Sequence, residues 1–281
     1  LALLGIIGLA IVRYIQKPDR LNDTKASDGW IILLVFIVLF FGFVIEGLRI
    51  AAQIKLSVTM QQIDYERVAS PIGWLFAKPF ANVSLDVVLM WHRILWWFHM
   101  ATAFLLIALI PFTKLWHIFA GMLNYAFRDL GPSALRMVDN IEEAETFGVE
   151  NIEEFGWKDL LDLEACIRCG RCQENCPAYN TGKHLNPKIT LIQHMKEHLD
   201  EKVPYLLAQK GQPEEADVVA MTEEASEEVS PMEKSLIYDV VTTDVIWDCT
   251  NCRACMEHCP MFIEHIPKII EMRRNLGMWQ G

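Results

Sequence analysis

The sequence contains the run Cys166-Ile-Arg-Cys169-Gly-Arg-Cys172-Gln-Glu-Asn-Cys176-Pro177. Its cysteine spacing is repeated in Cys249-Thr-Asn-Cys252-Arg-Ala-Cys255-Met-Glu-His-Cys259-Pro260. Both runs have the spacing C-x2-C-x2-C-x3-C-P, and together they contain all eight cysteines of the chain. Three thiolates at two-residue gaps can wrap a short loop around three irons of a cubane. The two runs therefore predict two [4Fe–4S] clusters.

The last cysteine of each run is followed by proline, and in this pattern it points away from its own loop to the other cluster. We therefore assign cluster 1 to Cys166, Cys169, Cys172 and Cys259. Cluster 2 is assigned to Cys249, Cys252, Cys255 and Cys176. The alternative is structural zinc, but zinc sites use four ligands in separated pairs, and here two complete runs leave no cysteine over.

The two halves of the chain differ in charge. Residues 1–137 carry 12 Lys/Arg and 8 Asp/Glu, whereas residues 138–281 carry 13 and 28, which together give the net charge of −11. An acidic second half argues against nucleic-acid binding, which needs a basic face. Because Asp-Leu-Gly-Pro ending at Pro132 is a turn signal, we divide the chain at 1–130, an acidic connector at 131–155 and a cysteine-rich domain at 156–281.

Three apolar segments are candidates for crossing a bilayer: Leu1 to about Ile15, about Trp30 to Ala52, and a helical pattern from Leu85 past His117. The loop between the first two contains four cations, namely Arg13, Lys17, Arg20 and Lys25. Positive charge marks the cytoplasmic side of a membrane. We therefore expect a multi-pass protein of the cytoplasmic (inner) membrane with its iron–sulfur domain in the cytoplasm.

The third segment contains three histidines. His99 and His117 are 18 residues apart, which is five turns of an unbroken helix and roughly 27 Å along its axis. Both side chains would then face one direction, one near each side of a bilayer of roughly 30 Å. This register suggests axial ligands for two b haems. The alternative is that both are interfacial or hydrogen-bonded core histidines.

The stretch Phe98–His117 resembles the last helix of the respiratory nitrate reductase gamma family. The resemblance implies that His99 and His117 each bind a haem b, with Pro111–Lys114 matching the residues before the second histidine. The partner histidines of that family lie on an earlier helix, so the ligands are either beyond this sequence or supplied by a further chain. We expect His92 near the outer surface, either in a quinone site or as an interfacial residue.

Two further features lie in the apolar segments. Glu46 and Arg49 are three residues apart and are predicted to pair on one helix face, with a proton or quinone role as the alternative. Pro111 is expected to kink the third helix, because proline removes a backbone hydrogen bond.

The gap between the cysteine runs is long and contains helical patterns at Pro187–His198 and Glu233–Val241. In this it resembles the α-helical ferredoxin fold of heterodisulfide reductase and succinate dehydrogenase iron–sulfur subunits. Gly211–Glu233 is acidic and is predicted to be a solvated linker or a surface helix. The expected fold class is all-α, with a transmembrane helical bundle followed by an α-helical ferredoxin domain.

The combination resembles membrane-bound iron–sulfur oxidoreductases of the electron-transfer-flavoprotein:menaquinone oxidoreductase type. The resemblance implies electron transfer between a cytoplasmic donor, either electron-transfer flavoprotein or another dehydrogenase, and membrane menaquinone. Members of that family carry a cysteine-rich CCG region after the ferredoxin part. Because the sequence has no initiator methionine and opens inside an apolar run, we expect this chain to be part of a longer protein. Alternatives are a haem-free iron–sulfur anchor for a soluble dehydrogenase and a heterodisulfide- or sulfur-linked reductase subunit.

Overall fold

The computed structural model describes residues 1–56, 59–131, 136–137, 142, 147–210 and 230–279. Within these residues the regular elements are helices, and the one pairing of extended backbone is an isolated bridge between Ile237 and Val241. The prediction of an all-α fold is confirmed. The chain forms two compact units, Leu1–Leu115 and Trp116–Gly281.

In its described residues the first unit has five α-helices: α1 (Ala2–Ala10), α2 (Ala26–Lys55), α3 (Met60–Ala69), α4 (Pro71–Ala77) and α5 (Leu85–Leu109). A π-helical turn, Ile11–Gln16, extends α1. Ala26–Lys55 and Leu85–Phe112 are long and apolar enough to cross a membrane, and Ala2–Gln16 is a shorter apolar helix. The core, where α2 packs on α4 and α5, is small: Leu48, Ile50, Ala51, Ala52, Ala77 and Val88.

The third apolar segment is broken. α5 ends at Leu109, a 3₁₀ turn spans Ile110–Phe112, and Thr113 is extended with φ −132° and ψ 175°. Pro111 lies inside this break and offers no N–H to continue the helix. The prediction of one helix from Leu85 past His117 is therefore wrong, and the five-turn register between the two histidines is lost with it.

Buried and half-buried ion pairs join the segments of the first unit. Asp28, at the start of α2, is 4% exposed and pairs with Arg13 at 2.5 Å and with Lys114 at 2.8 Å. The predicted pair of Glu46 and Arg49 is confirmed at 2.7 Å. Arg49 also binds Glu66 of α3 at 2.8 Å, a long-range contact that helix spacing could not indicate. The Asp28 carboxylate thus connects the region after α1, the start of α2 and the region after α5.

The second unit has eight α-helices in its described part: α6 (His117–Ala126), α7 (Trp157–Ala165), α8 (Arg171–Glu174), α9 (Pro177–Asn180), α10 (His194–Lys210), α11 (Thr243–Trp247), α12 (Ala254–Glu257) and α13 (His265–Arg274). A π-helix, Pro187–Gln193, leads directly into α10, as the pattern at Pro187–His198 predicts. The main core gathers Ile152, Leu163, Leu191, Met195 and Ile269. α6 packs on α7, so the compact unit begins before the change in composition near residue 130.

The helix predicted at Glu233–Val241 is wrong, because this stretch is a series of turns. The backbone N–H of Ser235 donates to Asp239 Oδ2 at 2.8 Å, and the Ser235 hydroxyl donates to the carbonyl of Ile237. Such local side-chain bonds compete with helix formation. Most of the predicted linker 211–233 and much of the connector 131–155 lie outside the described residues.

Replacing Asp28 with asparagine should lower the thermal unfolding temperature of the protein in detergent. The change leaves Arg13 and Lys114 facing a neutral amide, and breaking a buried ion pair costs about 3 kcal/mol. The matched control is Asp19→Asn, at an exposed position nearby. Equal unfolding temperatures for the two variants would contradict this role of Asp28.

Candidate iron–sulfur and haem sites

Four cysteines line one cavity in the second unit, named cavity 1. They are the set assigned to cluster 1: Cys166, Cys169, Cys172 and Cys259. The other four line a separate cavity, named cavity 2: Cys176, Cys249, Cys252 and Cys255. In each cavity, three cysteines come from one run and the fourth comes from the other run.

The backbone of the two runs follows the same path. Arg168 and Asn251, two residues after the first cysteine of each run, have φ of 53° and 54°. Gly170 and Arg253, four residues after it, have φ of 75° and 64°. Positive φ is uncommon for residues other than glycine, so the same two reversals in both loops mark a wrapped geometry that turns successive cysteines to one side.

The donor set fits a cluster better than a single ion. Among the described residues, no group of three His, Cys, Asp or Glu side chains converges closely enough to hold one metal ion. The sulfur atoms instead surround a volume, which suits a cubane whose irons each take one thiolate. When bound, such clusters supply one-electron transfer.

Burial disfavours the thiolate form of several of these cysteines. Burial raises the pKa of Cys166 to about 12 and also raises the pKa values of Cys172 and Cys255, with neighbouring cysteines adding to the effect. Backbone N–H groups oppose the shift, since Ile263 N–H donates to Cys259 Sγ at 3.5 Å. Thiolates here therefore require the positive charge of bound iron, so metal binding must release protons.

His265 lines both cavities, and the cysteine pattern gave no signal of it. The ring is 1% exposed, and its Nδ1 lies 3.0 Å from the carbonyl oxygen of Ile263. Burial, with the nearby ammonium of Lys268, lowers the pKa of His265 to about 4, so the ring is neutral at physiological pH. A neutral ring between the two sites adds no charge to either.

A buried ion network supports α13, on which His265 lies. Lys268 is fully buried and binds Asp159 at 3.1 Å and Asp162 at 2.5 Å. Burial alone would raise the pKa of Asp162, but Lys268 and Lys158 hold it at about 2. Glu264 completes the network through Lys158 at 3.2 Å. The network fixes α7 against α13 and hence the wall of the cluster region.

The histidines predicted to bind haem fall in different parts of the fold. His99 lies on α5, and its Nδ1 is buried without a hydrogen-bond partner in the described part of the chain. A Cβ on Gly42 of α2 would lie at an ordinary contact distance of 3.6 Å from the His99 ring, so α2 passes close to this histidine. His117 is the first residue of α6 in the second unit, and His92 is half-buried on α5. The free ring nitrogen makes His99 a suitable axial ligand for one haem. The sequence of the first unit contains no histidine besides His92 and His99.

Two protein-family models match separate parts of the chain. The nitrate reductase gamma subunit model matches residues 1–131, and the 4Fe-4S dicluster domain model matches residues 162–263. The chain is therefore an iron–sulfur protein with a membrane-associated segment. No solved structure is significantly similar to it.

Three curated relatives support this combination. An "EtfAB:quinone oxidoreductase" of Syntrophomonas wolfei is 77% identical over the whole chain, which covers 40% of that protein. A "probable iron-sulfur-binding oxidoreductase" of Bacillus subtilis is 35% identical over 96% of the chain and 39% of its own length. A "probable membrane-anchored ferredoxin" of Chromohalobacter salexigens is 34% identical over 59% of the chain and 26% of its own length. The chain thus spans less than half the length of these relatives.

Cysteine-to-serine substitutions test whether the fourth cysteine of each run ligates the cluster held by the other run. Cys259→Ser should remove the same cluster signal as Cys166→Ser, and Cys176→Ser the same signal as Cys249→Ser. Electron paramagnetic resonance of the reduced protein, with iron and sulfide analysis, identifies which signal is lost. If Cys259→Ser instead matches Cys249→Ser, each run holds its own cluster and the assignment is wrong.

Replacing Lys268 with methionine should destabilise the cluster domain by about 3 kcal/mol, because Asp159 and Asp162 would lose the buried cation that they share and keep only Arg136 and Lys158 as partners. The effect should persist from pH 7 to pH 5. With its pKa depressed, Asp162 contributes stability above about 3.8, which is lost only as the pH falls toward 2. Denaturant unfolding measures it, with the half-exposed Lys183→Met as control. A loss in Lys268→Met no larger than in the control would contradict the role.

Proposed function

We propose that this chain, which joins a nitrate reductase gamma segment to a 4Fe-4S dicluster domain, is the membrane electron-transfer part of a quinone-linked oxidoreductase. The observation that carries the proposal is the pair of four-cysteine cavities in one unit, on a chain with two helices apolar enough to cross a membrane. Two adjacent one-electron centres beside a membrane suit the transfer of single electrons between a soluble donor and a lipid-soluble acceptor.

The residues of the chain hold and separate these centres. The four cysteines of each cavity would ligate one [4Fe–4S] cluster, and His265, which lines both cavities, forms part of the wall between them. Cys176 and Cys259 are buried, which restricts water at each crossover ligand. The buried network around Lys268 keeps α7 and α13 in register, so the distance between the two sites stays constant.

The membrane side of the proposal concerns the histidines. His99 and His117 would each supply an axial ligand to a haem b, and the second ligands would come from residues beyond this sequence or from a further chain. His92 is the residue that we assign to a quinone site. The cations of the loop that follows α1 favour the cytoplasmic side for that loop, and hence for the iron–sulfur domain.

The proposed partners are electron-transfer flavoprotein as donor and menaquinone as acceptor. The support is the whole-chain similarity to a protein named for oxidoreduction between EtfAB and quinone. A second candidate function is a haem-free iron–sulfur anchor, which holds a soluble dehydrogenase at the membrane and transfers its electrons. It is favoured by the similarity to a protein named as a membrane-anchored ferredoxin.

Haem content separates the two functions. The full-length protein, purified from its native membrane with its partner chains, should contain about two b haems per chain by pyridine haemochrome. His99→Ala and His117→Ala should each lose one haem while keeping both clusters, whereas the exposed His184→Ala should lose none. Full iron–sulfur content without haem would leave the anchor as the function.

A further inference from the structure

α6 has two unlike faces. Its buried side consists of small or polar residues, namely Ala120, Gly121 and Asn124. Its other side exposes large apolar residues: Ile118, Phe119, Met122, Leu123 and Tyr125. A short helix with a broad exposed apolar face is typical of helices that lie in the interfacial layer of a membrane. We call this exposed side the α6 face.

Aromatic and cationic residues extend the α6 face. Trp157 of α7 is 63% exposed and packs edge-on against Phe127, with ring centroids 5.1 Å apart. The Arg128 guanidinium lies 4.7 Å from the centre of the Phe262 ring. Tryptophan concentrates at the level of lipid headgroups, and arginine can extend its charge to them while its stem stays in apolar surroundings. The aromatic and cationic residues beside the α6 face are thus of the kinds that favour the headgroup layer of a bilayer.

The position of α6 in the chain also favours lipid as the occupant. α6 begins at His117, five residues after Phe112 ends the second candidate span. Five residues reach at most about 18 Å even when fully extended. An exposed apolar helix so close to the end of a span lies within reach of the bilayer surface.

The buried side of α6 contacts a residue that lines cavity 1. Asn124 Nδ2 donates to the carbonyl of Met261 at 2.8 Å, and a Cβ on residue 121 would overlap Met261 Cε. Met261 follows Cys259 and Pro260 and lines cavity 1, but it does not line cavity 2. We infer that the α6 face rests on the bilayer surface and that cavity 1 is therefore the membrane-side site of the dicluster unit.

Cavity 2 is then the site for exchange with soluble partners. Its Cys252 is exposed, and no cysteine of cavity 1 is exposed. This order of the two sites rests on the proposed cluster assignment. It gives the electron path a defined sequence, with cavity 2 next to the soluble partner and cavity 1 next to the membrane.

The order is measurable in the holoprotein, placed in nanodiscs and reduced with dithionite. Some of the lipid carries a gadolinium chelate on its headgroup. Gadolinium speeds the relaxation of nearby spins. The electron paramagnetic resonance signal of cluster 1 should therefore saturate only at higher microwave power, while the saturation of the cluster 2 signal should stay unchanged. Cys252→Ser and Cys169→Ser assign the signals by removing one cluster each. A free gadolinium chelate in solution is the control and should act more strongly on cluster 2.

A stronger lipid effect on cluster 2, or equal effects on both, would overturn the order. If one serine variant fails to fold, the other assigns both signals, because the signal that it retains belongs to the unaltered cavity. Iron and sulfide analysis keeps this test apart from the proposed function, because a protein without two clusters fails there first. Absence of haem does not change the result.

Discussion

The second unit depends on one constraint: the fourth cysteine of each run must leave its own loop and reach the other cavity. Cys176 and Cys259 are the residues that cross, and both are buried. Their crossing ties together two loops that are far apart in the sequence, so neither site can be completed until the intervening helices have packed. Cluster binding and folding are therefore coupled in this unit.

The same constraint explains the polar interior around the clusters. Burial raises the pKa values of the Cys166 and Cys255 thiols, so these groups are protonated until iron arrives, and the surrounding protein must hold them in place before the metal charge is present. Lys268 and its carboxylate partners supply that rigidity with directional contacts between α7 and α13. Since an apolar core of the same volume is often equally stable, we expect the contribution of this network to be the orientation of α13 rather than stability alone.

Sequence reasoning was sufficient where spacing alone carries the chemistry. The two C-x2-C-x2-C-x3-C-P runs predicted which cysteines share a cavity, and the hydrophobic pattern predicted α2 and the all-α class. It was insufficient where contacts between residues that are distant in the sequence determine the structure. His265 follows no motif, and the pairing of Asp28 with Lys114 joins residues whose proximity only tertiary packing creates. At Glu233–Val241, local bonds of Ser235 overrode a helical pattern.

The break at Pro111 has the widest consequence. In an unbroken helix, the residues after His117 would continue the direction of α5. Instead the extended backbone at Thr113 separates them, and α6 packs by Ala120, Gly121 and Asn124 within the cluster-binding unit. Residues 117–131 therefore belong to the nitrate reductase gamma segment by sequence and to the dicluster unit by packing. The helix that follows the second candidate span is thereby part of the packed dicluster unit, so only the residues between Phe112 and His117 connect the span to that unit.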